Sequence, residues 1–429
     1  MAKQLAACRT EQGLSKASLE HYLKVCGKQF SKLLSSQQVQ AEADRVWCGV
    51  ERCLFGNGKE LHFKKLMDFD TIGGKSNKNG ARFDLDAMYV NWLGLSLKCY
   101  LPKSENSLSY VWESLKGKIS YCNIKRLMFS SGWRYYAEIV VSGAAPTRVS
   151  IGTSTMGIDP GVSTIAGVSE DACVLEELAP NAIQYEKRIQ TISQSMDRSR
   201  RISNPNKYNE DGTINRSNRD PWKYSKNYVK MCRLLKSLYR KKHAYIVDSH
   251  RELCNKLITI ARYFPVEKMH FQALQKRAKE TRRQEKKTEV KQRDGTVKVI
   301  QKYKRKKRFG RSINRRAPAR FLLELKRKAE AVGGVYAEVD TKEFKASQYN
   351  HVTDIYEKIP LSQREKEIGN RKVQRDLYSA FLIRNADLDF KHPDREKCEY
   401  EFEHFADMQD QLILKMKESG LSMRQCFGF

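Results

Sequence analysis

An α/β chain of several domains is the fold class that this sequence predicts, and three observations predict it. Residues 1–56 place Ala41, Val46, Trp47, Val50 and Leu54 on one broad face at helical spacing. Residues 59–150 switch to short apolar runs set between Gly, Asn and Lys, the pattern of a small antiparallel β unit. Beyond a break at Ala144-Ala145-Pro146, strand-like and helix-like runs alternate, as in a sheet covered by helices.

With 429 residues the chain is long enough for two or three domains, and it carries 80 Lys and Arg against 50 Asp and Glu, a net charge of +30. So large an excess of one sign repels itself until a polyanion neutralises it, which makes nucleic acid the expected partner. An anionic membrane is the rival. No apolar run approaches the roughly 18 residues that a membrane span needs, and residues 1–10 lack the apolar core of a signal peptide. The 11 cysteines are scattered and odd in number, which speaks against a disulfide framework and for a reducing compartment.

The N-terminal helical region ends at Phe55-Gly56-Asn57-Gly58. The β unit that follows is expected to close into a barrel. Its GGKSNKNG stretch, residues 73–80, is a basic loop carrying Lys75 and Lys78, and it is no phosphate-binding loop because no helix signal follows it. Tyr100, Tyr110, Trp112, Tyr121, Trp133, Tyr135 and Tyr136 are interleaved with Lys and Arg; core packing explains most of them, and base stacking could use a few.

The stretch MGIDPGVSTIAGV, residues 156–168, reads as two short buried strands around a Pro-Gly turn, with Asp159 at the lip of the first. There Asp159 could hold a metal ion or merely cap the turn. Residues 175–179 (LEELA) suit a third strand, 183–200 a basic helix, 203–221 a polar loop and 222–262 a long amphipathic helix or helix pair. Residues 265–274 (PVEKMHFQAL) alternate like a strand. Residues 276–320 are dense in Lys and Arg around KYKRKKR, a segment expected to touch nucleic acid. Pro318 opens a helix that Gly333-Gly334 closes, 335–339 is a strand, 349–360 a loop, and 374–385 a helix with Asp376 in its first turn. Residues 386–429 are charged and helix-like.

In-line hydrolysis of a phosphodiester can use two Mg²⁺ ions about 3.5–4 Å apart, bridged by a carboxylate. Asp159 would be that bridge, and Asp376 would complete the site. A third carboxylate is expected on a neighbouring strand, where residues 269–274 offer only Gln272.

Ordered stretches then carry a resemblance: VWCGVERCLFGNGKELHFKK, the GKSN loop, MGIDPGVSTIAGVS, LEELAP, MDRSRRISNPNKYNEDGT, FQALQKRAKET, KKRFGRSINRRAPARFLLELKRKAE, FKASQYNHVTD, PLSQR and VQRDLYSAFLI. Over residues 46–385 the chain resembles the TnpB family, transposon-encoded RNA-guided nucleases related to type V CRISPR effectors. The resemblance implies an RNase H-like, RuvC-type nuclease domain over 153–385, with a basic insertion at 276–316 and a ribbon-like region at 341–373. It also implies a helical recognition region over 1–57, a wedge-type β-barrel over 58–152 and a C-terminal extension over 386–429.

The same resemblance implies catalysis by Asp159, position 272 and Asp376, with Mg²⁺ (or Mn²⁺) held by Asp159 and Asp376. Nucleic acid would be bound by Lys75, Lys78, Arg305, Lys306, Lys307, Arg308, Arg311, Arg315 and Arg316. The partners would be a guide RNA and target double-stranded DNA, in a prokaryotic cytoplasm. The family expects Glu where Gln272 stands. Either that carboxylate has been lost, naturally or by engineering, or Glu324 or Glu330 replaces it. The region where relatives carry a four-cysteine zinc ribbon has no cysteine and only His351, so no zinc is expected. Relatives also usually carry further N-terminal residues. A nuclease-dead RNA-guided repressor is the alternative function, and a transposase joining DNA ends is a third.

Overall fold

The structure, a computed structural model, describes the chain except residues 1, 57, 59, 65–67, 276–282, 292–296, 304–308 and 361. It divides into two compact units, one of residues 1–146 with 195–237 and one of 147–194 with 238–429.

The first unit opens with three helices, Ala2–Glu11, Lys16–Gly27 and Ser36–Leu54. Ser15 with Ser18 and Ser35 with Gln38 form reciprocal capping boxes that satisfy otherwise orphaned backbone donors at two of the starts. The β segment that follows holds two three-stranded antiparallel sheets. One comprises Arg82–Asp84, Tyr89–Trp92 and Leu95–Lys98; the other comprises Thr71–Ile72, Lys118–Phe129 and Gly132–Ser142. Ala81, Phe83, Val90, Leu115, Cys122 and Ile124 form their common core.

The expected barrel is therefore a correction: the described strands form two open sheets. Helix Glu105–Leu115 follows Leu95–Lys98 in the chain and sends Leu115 and Val111 into the core. The polar loop after residue 203 is pinned at both ends, since Asn204 donates to the Lys223 carbonyl at 2.8 Å and accepts from the Lys223 amide at 2.7 Å.

The second unit is built on a mixed sheet. Strands β1 (Gly157–Pro160), β2 (Thr164–Val168) and β3 (Cys173–Glu177) form an antiparallel meander, as the hairpin signal predicts. β4 (Ala261–Glu267) lies beside β1 in parallel, and β5 (Val335–Val339) lies parallel to β4, giving the order β3-β2-β1-β4-β5. A mixed sheet with parallel strands is consistent with the RuvC-type fold that the resemblance implies. Long helices α1 (Ala182–Ser203) and α2 (Lys226–Ile260) lie between β3 and β4 in the chain, and each runs through the boundary between the units. Helix α3 (Phe271–Gln275) follows β4. A basic hairpin, Arg283–Lys291 with Val297–Tyr303, comes next, then α4 (Gly310–Arg316) and α5 (Pro318–Ala331) with Pro318 in its first turn.

Two cores sandwich the sheet. Met156, Ile158, Phe264 and Val266 pack with Leu257 of α2 and Phe321 and Leu325 of α5. Ala166 and Val168 pack against α6 (Arg375–Arg384), whose residues Leu377, Tyr378, Ala380, Phe381, Leu382 and Ile383 are all fully buried. A helix apolar on every side can only be internal, and α7 (Arg395–Glu418) covers α6 with Phe402 and Phe405. Two short hairpins precede α6: Tyr349–Asn350 with Ile355–Tyr356, where the sequence suggests a loop, and Glu365–Ile368 with Arg371–Gln374. No helix among the described residues is long and apolar enough to cross a membrane.

Two histidines in this unit are buried as neutral rings. His250 meets the Phe321 ring edge-on, and His351 shares a 2.8 Å hydrogen bond with the Tyr378 hydroxyl among Phe381 and Phe402. Burial pushes each imidazole down to about 4. The unfolded chain, titrating near 6.5, therefore binds more protons than the folded one between about pH 6.5 and 4. Their contribution to stability is full above that window and lost through it, about 3 kcal/mol per ring. Denaturant titrations should show stability falling steeply from pH 7 to 4.5, and His351→Gln should flatten that slope while lowering the pH 7 value.

Candidate active site

Asp159 is next to last in β1, and Glu267 ends the neighbouring parallel strand β4. Ile158 of β1 is paired with Val266 of β4 and both are fully buried, so the next residue on each strand turns to the opposite face. That places the two carboxyls side by side, and they share a hydrogen bond. Both lie between buried and exposed.

The Asp159 carboxyl is pushed well above the usual range, first by desolvation, then by the charges of Glu267 and Asp376 and the hydrogen bond to Glu267, with Arg375 opposing. Glu267 is also raised by burial, although the bonds from Asp159 and from Thr341 act the other way. The pair shares a proton, because two carboxylates in contact cannot both stay ionised without a cation between them.

Asp376 comes from the first turn of α6, whose start is fixed by the Gln374 side chain accepting from the Leu377 amide at 2.7 Å. Gly157 of β1 lets α6 approach. A Cβ there would collide with the backbone oxygen of Ala380 and the backbone nitrogen of Arg384. The close crossing brings the first turn of α6 to the end of β1. The Asp376 carboxylate is held by Arg375 at 2.9 and 3.1 Å, by Arg364 at 3.4 Å and by the Gln374 amide at 3.4 Å. Among the described residues no three His, Cys, Asp or Glu side chains already converge as a metal cluster.

The strand expected over 265–274 is a correction: it stops at Glu267, and Gln272 lies exposed on the short helix α3. His270 starts that turn by accepting from the Ala273 and Leu274 amides, which ends the extended backbone before Gln272. The carboxyl next to Asp159 is thus Glu267, which the sequence reading passed over. A usable signal was present: FPVE, like MGID, is an apolar run capped by an acid. Glu324 is paired with Arg251 at 3.3 Å and Arg327 at 2.8 Å, and Glu330 is exposed.

The expected nucleic-acid contacts are placed unevenly. Arg305, Lys306, Lys307 and Arg308 lie outside the described residues. Arg315 is paired with Glu186 at 2.7 Å and Arg316 with Glu177, each nearly buried, so these two tie α4 to α1 and to the end of β3. Arg311 is 77% exposed. In the first unit Lys75 is paired with Asp44 at 2.7 Å, while Lys78 is exposed.

No family model matches the sequence, and no curated protein matches it. Among solved structures, a Cas12f1–sgRNA–target DNA complex is similar at TM-score 0.47 and 11% identity, over 90% of this chain and 79% of that one. A CRISPR-Cas12f ternary complex is similar at TM-score 0.29 and 14% identity, over 92% and 78%. Both TM-scores lie under 0.5 and support no functional assignment.

Proposed function

We propose that this chain is an RNA-guided DNA endonuclease that hydrolyses phosphodiesters at Asp159, Glu267 and Asp376 with Mg²⁺. The observation that carries the reading is the proton-sharing pair Asp159–Glu267 on adjacent parallel strands, with Asp376 delivered beside it by α6. An all-oxygen donor set suits a hard cation, and the shared proton marks where positive charge is missing. Asp159 and Glu267 would hold the ion, and Mn²⁺ would serve in its place. Bound there, Mg²⁺ would polarise a phosphoryl oxygen and activate a water for in-line attack. With a cation bound, Asp159 and Glu267 would both be carboxylates, their shared proton released to solvent, and Asp376 would add a third carboxylate from a helix end. Arg375 and Arg364 keep cationic charge beside Asp376, offsetting the repulsion that three carboxylates would present to a phosphate.

The guided, DNA-directed part of the reading is supported by the TnpB resemblance and by the +30 charge, which a guide–target duplex would neutralise. With Glu267 in place, Gln272 no longer argues for a lost carboxylate, so cleavage is favoured over a nuclease-dead repressor. The test uses the protein with its copurifying RNA, sequenced to choose a matched plasmid. Nicking or linearisation is expected in Mg²⁺ or Mn²⁺, none in EDTA, and none on an unmatched plasmid. Matched binding without cleavage in either metal would favour the repressor, and joined ends without guide RNA would favour the transposase.

A further inference from the structure

The first unit contains a cavity of about 1330 Å³ between its two sheets and helix Glu105–Leu115. Its floor is the unit's own core, Phe83, Val90 and Ile124, while its mouth carries Tyr100, Tyr110 and Tyr135 with Lys98. Tyr100 is 87% and Tyr135 68% exposed, a large amount of flat apolar surface to leave in water. Tyr135 lies on an edge strand, on the same face as Ile139 and Val141 of the cavity lining, while Arg134 and Tyr136 alternate to the opposite face beside Phe129.

Lys98 lies 5.9 Å from the Tyr100 ring, and the lining carboxylate, Glu113, is paired with Lys116 at 2.7 Å. Tyrosine rings beside a cationic side chain, over an apolar floor, match a polyanion that carries flat aromatic faces. A lipid would match the floor without the tyrosine arrangement, and an acidic peptide would match the cation without the rings.

We propose that this cavity is a stacking site for unpaired bases of single-stranded nucleic acid, with Tyr100 and Tyr135 as platforms and Lys98 on the phosphates. This rests on the nucleic-acid reading above, not on the nuclease site. Sequence tolerance follows, because every base presents a π face and no hydrogen-bond code is needed.

The test titrates the full chain into single-stranded DNA and RNA of one sequence, each carrying 2-aminopurine, alongside versions abasic at the central positions. Quenching of 2-aminopurine is expected on binding, with abasic strands bound roughly ten-fold more weakly. Tyr100→Ala with Tyr135→Ala should erase that difference while leaving the salt dependence unchanged; Lys98→Ala should lower the salt slope and keep the quench. The DNA and RNA arms identify which strand the site accepts. Tyr135→Phe, which keeps the ring, controls for misfolding and should bind as the parent does. Equal affinity for intact and abasic strands, or tyrosine variants that retain the difference, would overturn the proposal, as would quenching displaced by an acidic peptide or a lipid vesicle but not by unlabelled strand. Asp159→Asn should leave every one of these readouts unchanged, so loss of cleavage and loss of stacking are told apart.

Discussion

Glu267→Gln is expected to cut metal-dependent cleavage by on the order of 10³-fold or more, with nucleic-acid binding retained. The replacement keeps the shape of the side chain and can still bond to Asp159 across β1 and β4. It removes the negative charge that a cation needs, so the loss should fall on turnover. Metal-free stability should hold or rise, because the like-charge repulsion that lifts Asp159 is relieved. Asp159→Asn should behave the same way. Gln272→Glu should change the rate less than two-fold, since that side chain sits exposed on α3, away from the pair. Single-turnover cleavage with thermal melts of all three variants checks this. A Gln272→Glu protein that gains activity, with Glu267→Gln unaffected, would show that the carboxylate belongs at position 272.

Gly157→Ala should destabilise the second unit by at least about 3 kcal/mol, the largest stability effect expected of any single methyl group here. The added carbon would meet backbone atoms of Ala380 and Arg384, which no rotamer change can move. β1 and α6 would have to part, opening the core around Ala166, Tyr378 and Phe381 and separating Asp159 from the first turn that carries Asp376. For a unit of this size each kcal/mol is worth about 2–4 °C, so a fall in melting temperature of roughly 6–12 °C is expected, together with loss of cleavage. Gly310→Ala, where a Cβ would meet nothing, is the control and should leave both unchanged.

Much of the site was legible before any coordinates because it is written in local rules. The Pro-Gly turn after Asp159 and the apolar runs around it specify the hairpin of β1 and β2, Pro318 starts α5 in its first turn, and Asp376 falls in the first turn of α6. The third carboxyl was not legible. It depends on where β4 stops and on which of its residues faces β1, a pairing between segments far apart in the chain. Alternation suits a strand ending at Leu274 as well as one ending at Glu267, and only the turn set by His270 decides between them.

The basic side chains divide along the same line. Sequence alone established a +30 chain and therefore a polyanionic partner, because net charge is a sum that folding does not alter. Which cations are left for that partner was decided by tertiary structure: Arg315 and Arg316 were drawn into pairs with Glu186 and Glu177 from distant segments, while Arg311 on the same helix stayed exposed. Whether the β unit closed was likewise decided by strand pairing, which among the described residues gives two separate sheets. Turns, caps and charge act over a few residues or over the whole sum; register and pairing exist only when remote segments meet.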